Sequence, residues 1–462
     1  MAMTVLVFLG TLGLLVAVHE WGHYRMAVAC GVKVLTFSVG FGRPLLRWRA
    51  RRPFPGQSTE FMICLIPLGG YVKMLDENEE VVAPGDVSMA LNRQSLWRRA
   101  AIVSAGPLAN LLLAVVLYAA TFWLGQYESK PLLASPALGS VAESVGLRGG
   151  DLVLRVGLSE ATLHEVESME ALRWWALQED TLHEPLVLEV ESAHNHRIHT
   201  VSLLAPASIA ENAQDLSGLS VYGLGQLWSP AVIGNVQEGS AAQRAGLQRG
   251  DVVLHIDGHR MEDAAMLRAW VRAAGERGPV PLQVWAIRRP HQGELMVEVT
   301  PERVWDKDRY VGRIGAYVGE PPARVWVQAG FIDGVSRAFV RTSEVIGLTL
   351  DMVGRMVVGS ASLDNLSGPL SMADYAGRSA SIGLSAYLSY LALISISLGV
   401  LNLMPLPVLD GGHLLYYLYE ALTGRPPAAH WLDVLQRLGL LMLVALMFFS
   451  LFNDLVRLGW LS

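Results

Sequence analysis

The stretch VLVFLGTLGLLVAVHEWGH, residues 5–23, decides the fold class, because an apolar run of membrane length leads directly into three ionisable side chains. Residues 1–18 contain no Lys, Arg, Asp or Glu. A helix needs about 20 mostly apolar residues to cross a bilayer. Residues four positions apart share one face of a helix. The stretch therefore predicts a transmembrane helix over residues 1–27, with His19 and His23 on one face near its end.

A cleaved signal peptide is the alternative interpretation of this apolar start. Signal peptides begin with basic residues and end at a small-residue cleavage site. Met1 to Leu15 contains no Lys or Arg, and the run continues without interruption into His19. We therefore expect a helix that is retained in the membrane.

Three further windows lack charged side chains, and they are residues 100–127, 379–409 and 438–453. The whole chain is 52% hydrophobic and 17% charged, whereas soluble proteins carry about 25% charged residues. These windows predict spans at 100–127, 379–412 and 431–456, which gives four transmembrane helices in total. The net charge of −6 gives no support for nucleic-acid binding.

The segment between the first two spans, residues 28–99, predicts the orientation of the chain. It contains ten Lys and Arg residues against six Asp and Glu residues. Loops rich in Lys and Arg stay on the cytoplasmic side of a membrane. We therefore expect this loop in the cytoplasm, and both termini together with residues 128–378 on the opposite side.

An internal repeat lies in that outer region. Residues 146–154, GLRGGDLVL, match residues 246–254, GLQRGDVVL, at an offset of 100 residues. In each copy a short helix ends at a glycine that can adopt the left-handed cap conformation, and an apolar strand follows. A repeat of this length predicts two copies of a small α+β domain, at residues 128–220 and 221–320.

The repeated phrase resembles bacterial PDZ domains, which capture extended peptides by adding a strand to a sheet edge. Two structural domains without a ligand are the alternative. Residues 321–378 show apolar residues at helical spacing between charged ones, which predicts an amphipathic helical connector. This connector lies either at the membrane surface or against the second domain.

The segment HEWGH, residues 19–23, is an H-E-x-x-H motif. Both imidazoles of such a motif can reach one Zn²⁺, and the glutamate between them is placed to act as a general base. Ionisable residues at membrane depth are functional by default. A polar helix end at the interface accounts for one charged residue, but it does not account for three at ligand spacing.

A catalytic zinc requires a third protein ligand, and NLMPLPVLDGGH, residues 402–413, supplies a candidate in Asp410. Pro405 and Pro407 break the helix, and broken backbone at membrane depth is tolerated where it lines a cavity or is buried in protein. We expect one Zn²⁺ per chain, and we interpret His413 as a structural or orienting histidine.

The two motifs and the inserted repeats together resemble the site-2 protease family, with the bacterial branch that regulates sigma-E as the nearest likeness. The resemblance covers nearly the whole chain. It implies zinc ligation by His19, His23 and Asp410, and an acid/base role for Glu20. Asn402 corresponds to the family asparagine that holds the substrate backbone or stabilises the oxyanion.

Two further segments match the family pattern. One is AGPLAN, residues 105–110. The other is PLGGYVKM, residues 67–74, which resembles a membrane-associated β-segment that pairs with an extended substrate. The second match implies that substrate contacts come from four consecutive residues, which are Gly69, Gly70, Tyr71 and Val72.

The resemblance also implies a function. It predicts a zinc metalloendopeptidase of the bacterial inner membrane, with periplasmic PDZ domains and an active site near the cytoplasmic face. Its substrates would be single-span proteins already trimmed outside, such as an anti-sigma factor in an envelope stress response, and remnant signal peptides. The PDZ pair would screen out bulky substrates or bind peptide C-termini.

Two functions from other classes compete with this one. A non-catalytic membrane scaffold would use the PDZ pair alone and would have no need of Glu20. A metal transporter would need ligands distributed over several spans, whereas the sequence concentrates them in one cluster. Zinc content near one ion per chain favours the enzyme over the scaffold.

Overall fold

The computed structural model describes residues 2–50, 54, 56–77, 81–176, 184–206, 218–278, 280–288, 293–306, 309–358 and 368–457. The chain divides into two compact units. The first combines residues up to Gln126 with those from Gln328 onward, and the second is Tyr127–Val327.

Helices dominate the first unit and strands the second. The described α-helices are α1 (Ala2–Ala29), α2 (Leu96–Leu124), α3 (Val141–Ser144), α4 (Met169–Ala176), α5 (Ala241–Arg244), α6 (Ala264–Arg277), α7 (Phe331–Val357), α8 (Pro369–Ile382), α9 (Leu384–Asn402), α10 (Asp410–Thr423) and α11 (Ala429–Arg457). The described strands are β1 (Val34–Arg49), β2 (Glu60–Met74), β3 (Gln126–Ser129), β4 (Leu152–Gly157), β5 (His164–Glu165), β6 (Leu186–Glu191), β7 (Ile198–Leu203), β8 (Ile233–Val236), β9 (Val252–Ile256), β10 (His259–Arg260), β11 (Leu282–Ile287), β12 (Glu294–Val299), β13 (Glu302–Asp306), β14 (Arg309–Arg313), β15 (Ala316–Val318) and β16 (Arg324–Val327).

Within the described residues, four helices are long and apolar enough to cross a membrane, at Leu6–Ala29, Leu96–Leu124, Leu384–Asn402 and His430–Val456. They correspond to the four spans predicted from the sequence. The third span is shorter than the predicted 379–412, because α8 and α9 meet at Gly383 and α9 ends at Asn402. The prolines that follow exclude a continuous helix, so the chain turns and begins α10.

The apolar core of the first unit lies between α1, α2 and α9. Leu15, Ala114 and Ile396 are all fully buried there. Gly22 brings α1 and α2 together, because a Cβ at this position would lie 2.3 Å from the carbonyl oxygen of Ala105. Small residues at helix contacts let backbones approach closely, and this approach places the end of α1 against the middle of α2.

β1 and β2 form a bent antiparallel pair beside the end of α1. Both strands bend back on themselves, so Phe37 has a partner on each side, Val72 and Phe61. Phe37 also packs with Tyr24 of α1 and Ile102 of α2 in one buried cluster. The sheet is thereby fixed to α1, which carries the H-E-x-x-H motif, and to α2, which packs against α1.

The second unit contains two modules with the same sheet topology. The strand orders are β5-β4-β6-β7 and β10-β9-β11-β12. Ser140 and Ser240 cap their short helices in the same way, each accepting from a backbone N–H three residues later at 3.3 Å. Asp151 and Asp251 accept from backbone N–H groups at 2.9 and 2.8 Å. The repeat in the sequence is therefore a repeat in structure.

The limits of these segments differ from the sequence expectation. Residues 221–224 were expected in the second domain, but Tyr222 and Leu224 are buried in the core of the first. The expected connector, 321–378, begins as strand β16, which pairs with β3. Its later part forms α7 and α8, and α7 buries Ala338 and Val345 while its charged side chains face outward.

Candidate metal centre

Three side chains from distant parts of the chain converge in the first unit. His19 and His23 come from the second half of α1, and Asp410 is the first residue of α10. The two Nε2 atoms are 3.2 Å apart. Oδ2 of Asp410 lies 3.2 Å from Nε2 of His19 and 3.5 Å from Nε2 of His23. The three atoms form a nearly equilateral triangle.

The size of this triangle fits a zinc ion. Zinc binds nitrogen and oxygen ligands at about 2.0–2.2 Å in tetrahedral geometry, which places neighbouring ligand atoms about 3.3–3.6 Å apart. His19 and His23 are less than a tenth exposed. Two imidazoles and one carboxylate are a donor set of the kind found at catalytic zinc sites, where the fourth position is left for water or substrate.

Residues of α2 contact the Nδ1 atoms of both histidines. Nδ1 of His23 donates to the carbonyl oxygen of Ile102, at 2.9 Å. Gly106 leaves the space for the ring, because a Cβ on it would lie 2.2 Å from Nε2 of His23. The side-chain amide of Asn110 contacts Nδ1 of His19 at 3.2 Å. One helix therefore holds both rings.

The two glycines after Asp410 seat the start of α10 against the preceding turn. A Cβ on Gly411 would lie 2.2 Å from the carbonyl oxygen of Met404. A Cβ on Gly412 would lie 2.3 Å from the carbonyl oxygen of Leu406. Only glycine permits this approach, and it fixes the position from which Asp410 extends toward the histidines.

Glu20 lies in the same buried region as the triangle and is 9% exposed. Gly70 of β2 packs against it, since a Cβ on Gly70 would meet Cγ of Glu20 at 2.9 Å. The segment of residues 70–72 pairs on one side with residues 37–39. Within the described residues its other side has no strand partner. An unpaired strand edge therefore begins next to Glu20.

The remaining expected site residues have these places in the fold. Tyr71 stacks on Phe41 with ring centroids 6.2 Å apart, and Val72 pairs with Phe37. Asn402 is the last residue of α9. In the part of the chain that the structure describes, the ligand group contains His19, His23 and Asp410 but not His413. His413 instead meets the ring of Tyr416 edge-on, at 5.9 Å.

Sequence reasoning assigned no role to Asn110 or to the carbonyl group of Ile102. Asn110 falls in a segment that matched the family pattern, and it is an uncharged polar residue inside an apolar span. Polar side chains within a span are expensive unless they serve a purpose, and this signal could have drawn attention to it. A backbone carbonyl has no signature in the sequence.

Comparison with known proteins identifies the family of the chain. Residues 7–446 match the model of peptidase family M50. A Ralstonia nicotianae protein named as a zinc metalloprotease is 38% identical over 462 residues, covering 99% of each chain. The regulator of sigma-E protease RseP of Escherichia coli is 36% identical over 462 residues, covering 98% of each chain. Protease RseP of Yersinia pestis is 35% identical over 464 residues, covering 98% of each. The chain therefore belongs to peptidase family M50, the site-2 proteases, and is a zinc metalloprotease.

Proposed function

We propose that this protease cleaves peptide bonds within the transmembrane segments of single-span proteins, using zinc held by His19, His23 and Asp410. The observation that carries the proposal is the triangle of ligand atoms, with sides of 3.2–3.5 Å. Its two histidines lie on a helix long and apolar enough to cross a membrane. A centre in that position acts on segments that are themselves in the bilayer.

Glu20 is the proposed general base and acid. Zinc supplies a Lewis acid that lowers the pKa of a water ligand and polarises a carbonyl group. Glu20 takes the proton of the attacking water and returns it to the departing amine. Burial of its carboxylate beside Gly70 keeps it in one place. The amide of Asn402 holds the substrate backbone next to this centre.

The substrate must be extended where it is cut, because a helix engages its own carbonyl groups in hydrogen bonds. The unpaired edge that begins at Gly70 offers backbone groups to such a strand. Strand addition of this kind gives affinity through main-chain hydrogen bonds. Gly69, Gly70, Tyr71 and Val72 therefore form the proposed substrate edge, and its start beside Glu20 aligns the scissile bond.

The two repeated modules are proposed to be PDZ domains on the periplasmic side, with the active site near the cytoplasmic face of the inner membrane. Their matching sheets and capped helices support a common origin. They screen substrates by size or bind peptide C-termini. Relatives are named for the regulation of sigma-E, so a trimmed anti-sigma factor is the proposed substrate, with remnant signal peptides as others.

The decisive experiment uses purified protein in proteoliposomes with a single-span reporter. Glu20→Gln should lower the cleavage rate about 100-fold or more while zinc content stays near one ion per chain. Glu77→Gln is the matched control, because Glu77 pairs with Arg93 at 2.5 Å in the loop before α2. Parental cleavage by Glu20→Gln, or cuts mapped outside the span, would refute the proposal.

Screening by the modules has its own test. The reporter is prepared with and without a folded domain on its outer end, and both forms are offered to the parent protein. The parent should cut the trimmed form at least tenfold faster. Equal rates for the two forms would remove the size-filter role while leaving the proposed chemistry intact.

A further inference from the structure

The orientation of His19 carries an inference beyond its proposed role as a ligand. A neutral histidine that offers Nε2 to a metal must carry its proton on Nδ1, and that N–H needs an acceptor. The acceptor fixes both the tautomer and the direction of the ring. Each Nε2 in the triangle therefore depends on the group that its Nδ1 meets.

His23 shows how α2 meets this need. Its Nδ1 lies 2.9 Å from the carbonyl oxygen of Ile102, which can only accept a hydrogen bond. The proton of His23 is therefore on Nδ1, and the lone pair is on Nε2. His19 has a different neighbour at the same place, since Nδ2 of the Asn110 side chain is placed 3.2 Å from its Nδ1, while Oδ1 of Asn110 has no hydrogen-bond partner within the described residues.

The side-chain amide of Asn110 can face His19 with either end. If its NH₂ group donated to Nδ1, the proton of His19 would sit on Nε2 and block the ligand triangle. The oxygen and nitrogen of an amide have almost the same shape, so the hydrogen-bond network decides which end faces the ring. Only the orientation with the oxygen toward His19 leaves the lone pair on Nε2.

Asn110 is held firmly in this place. Its side chain is fully buried. Its backbone carbonyl oxygen also accepts from Oγ of Ser395 on α9, at 2.7 Å, and Ser395 is fully buried too. Asn110 therefore lies where three helices meet, and its buried side chain has little room to follow a displaced ring.

We propose that Asn110 is a positioning residue whose side-chain oxygen accepts from Nδ1–H of His19 and so keeps Nε2 available to zinc. This proposal rests on the proposed ligation of zinc by His19. Removing such an outer partner typically weakens metal affinity 10–100-fold. Asn110 itself touches neither the metal nor the substrate, and its effect passes through the ring of His19.

The test measures zinc affinity of the purified full-length protein by competition with a chromophoric chelator. Asn110→Leu keeps the size of the side chain without an acceptor, and should weaken zinc binding 10–100-fold. Asn110→Asp keeps an acceptor and should bind within about threefold of the parent. Thr121→Val is the matched control, since Thr121 is buried on the same helix and donates only to Leu117. It should leave the affinity unchanged.

A second readout needs no substitution at Asn110. The ¹⁵N shifts of the His19 ring in the zinc-loaded parent should show the proton on Nδ1. A proton on Nε2, parental affinity of a folded Asn110→Leu, or equal losses in the Leu and Asp variants would overturn the proposal. His19→Ala distinguishes the ligand assignment from the proposed role of Asn110. If it binds zinc as the parent does, the ligand assignment fails. If it loses zinc while Asn110→Leu does not, only the role of Asn110 fails.

Discussion

Gly106 faces the imidazole of His23 so closely that a Cβ on Gly106 would lie 2.2 Å from Nε2. That nitrogen is the atom that His23 contributes to the ligand triangle. The backbone of α2 at Gly106 therefore limits the position of the His23 side chain of α1.

Replacement of Gly106 by alanine should displace the His23 ring and weaken zinc binding at least tenfold. Helix propensity alone would predict a gain in stability, because alanine favours a helix by about 1 kcal/mol over glycine. A loss of zinc affinity would therefore come from the displaced ring. Competition with a chelator measures the effect. Gly13→Ala on α1 is the control, since a Cβ there meets nothing within 4 Å. Unchanged affinity in Gly106→Ala would mean that the ring does not need this space.

Replacement of Gly411 by alanine should move Asp410 away from the two histidines. The added Cβ would lie 2.2 and 2.3 Å from two backbone oxygens in the preceding turn, and backbone cannot yield as a flexible side chain does. Reporter cleavage should fall at least tenfold, together with zinc content. Gly347→Ala in α7, where a Cβ has open space, should remain near parental activity. Full zinc occupancy of Gly411→Ala would contradict this prediction.

Removal of zinc should lower the melting temperature as well as activity. A ligand that binds only the folded state stabilises it by about 2.7 kcal/mol at a hundredfold excess over its dissociation constant. Thermal unfolding in detergent, with and without a chelator, measures the difference. His19→Ala should melt at the same temperature in both conditions. A chelator effect of parental size in that variant would place the stabilising zinc elsewhere.

Asp454 should contribute to the stability of the last span. Its carboxylate accepts from the backbone N–H groups of Gly368, Leu370 and Ser371 at 3.0–3.1 Å, and from the hydroxyl of Ser371. Asp454→Ala removes the carboxylate that accepts from these donors and should cost about 1–3 kcal/mol, measured by denaturant unfolding in micelles. Ser450→Ala removes only a bond within its own helix and should change stability by less than about 0.5 kcal/mol.

The sequence was informative where chemistry depends on local spacing. His19 and His23 are one helical turn apart, so their shared face follows from helix geometry alone. Four spans could be predicted because an apolar, charge-free window of membrane length is the signature of a helix that crosses the bilayer. The repeat at an offset of 100 residues predicted two similar modules, and the sheet orders are indeed the same.

Other features depend on how distant segments meet. The third span ends at Asn402, and a new helix begins at Asp410. Both limits depend on how the intervening turn packs against Gly411 and Gly412. The core of the first module extends to Leu224 because of packing that no boundary signal marks. The contact of Asn110 with His19 depends on the approach of α1 and α2 at Gly22, which only the assembled structure contains.

The separation of the proposed ligands along the chain also determines when the protease can first act. During synthesis the two histidines enter the membrane with the first helix, long before the ribosome has made Asp410. Until α10 has been made and folded against the turn before it, the nascent chain holds an incomplete donor set. On the proposed ligand assignment, a newly made molecule therefore stays inactive until Asp410 has joined the two histidines.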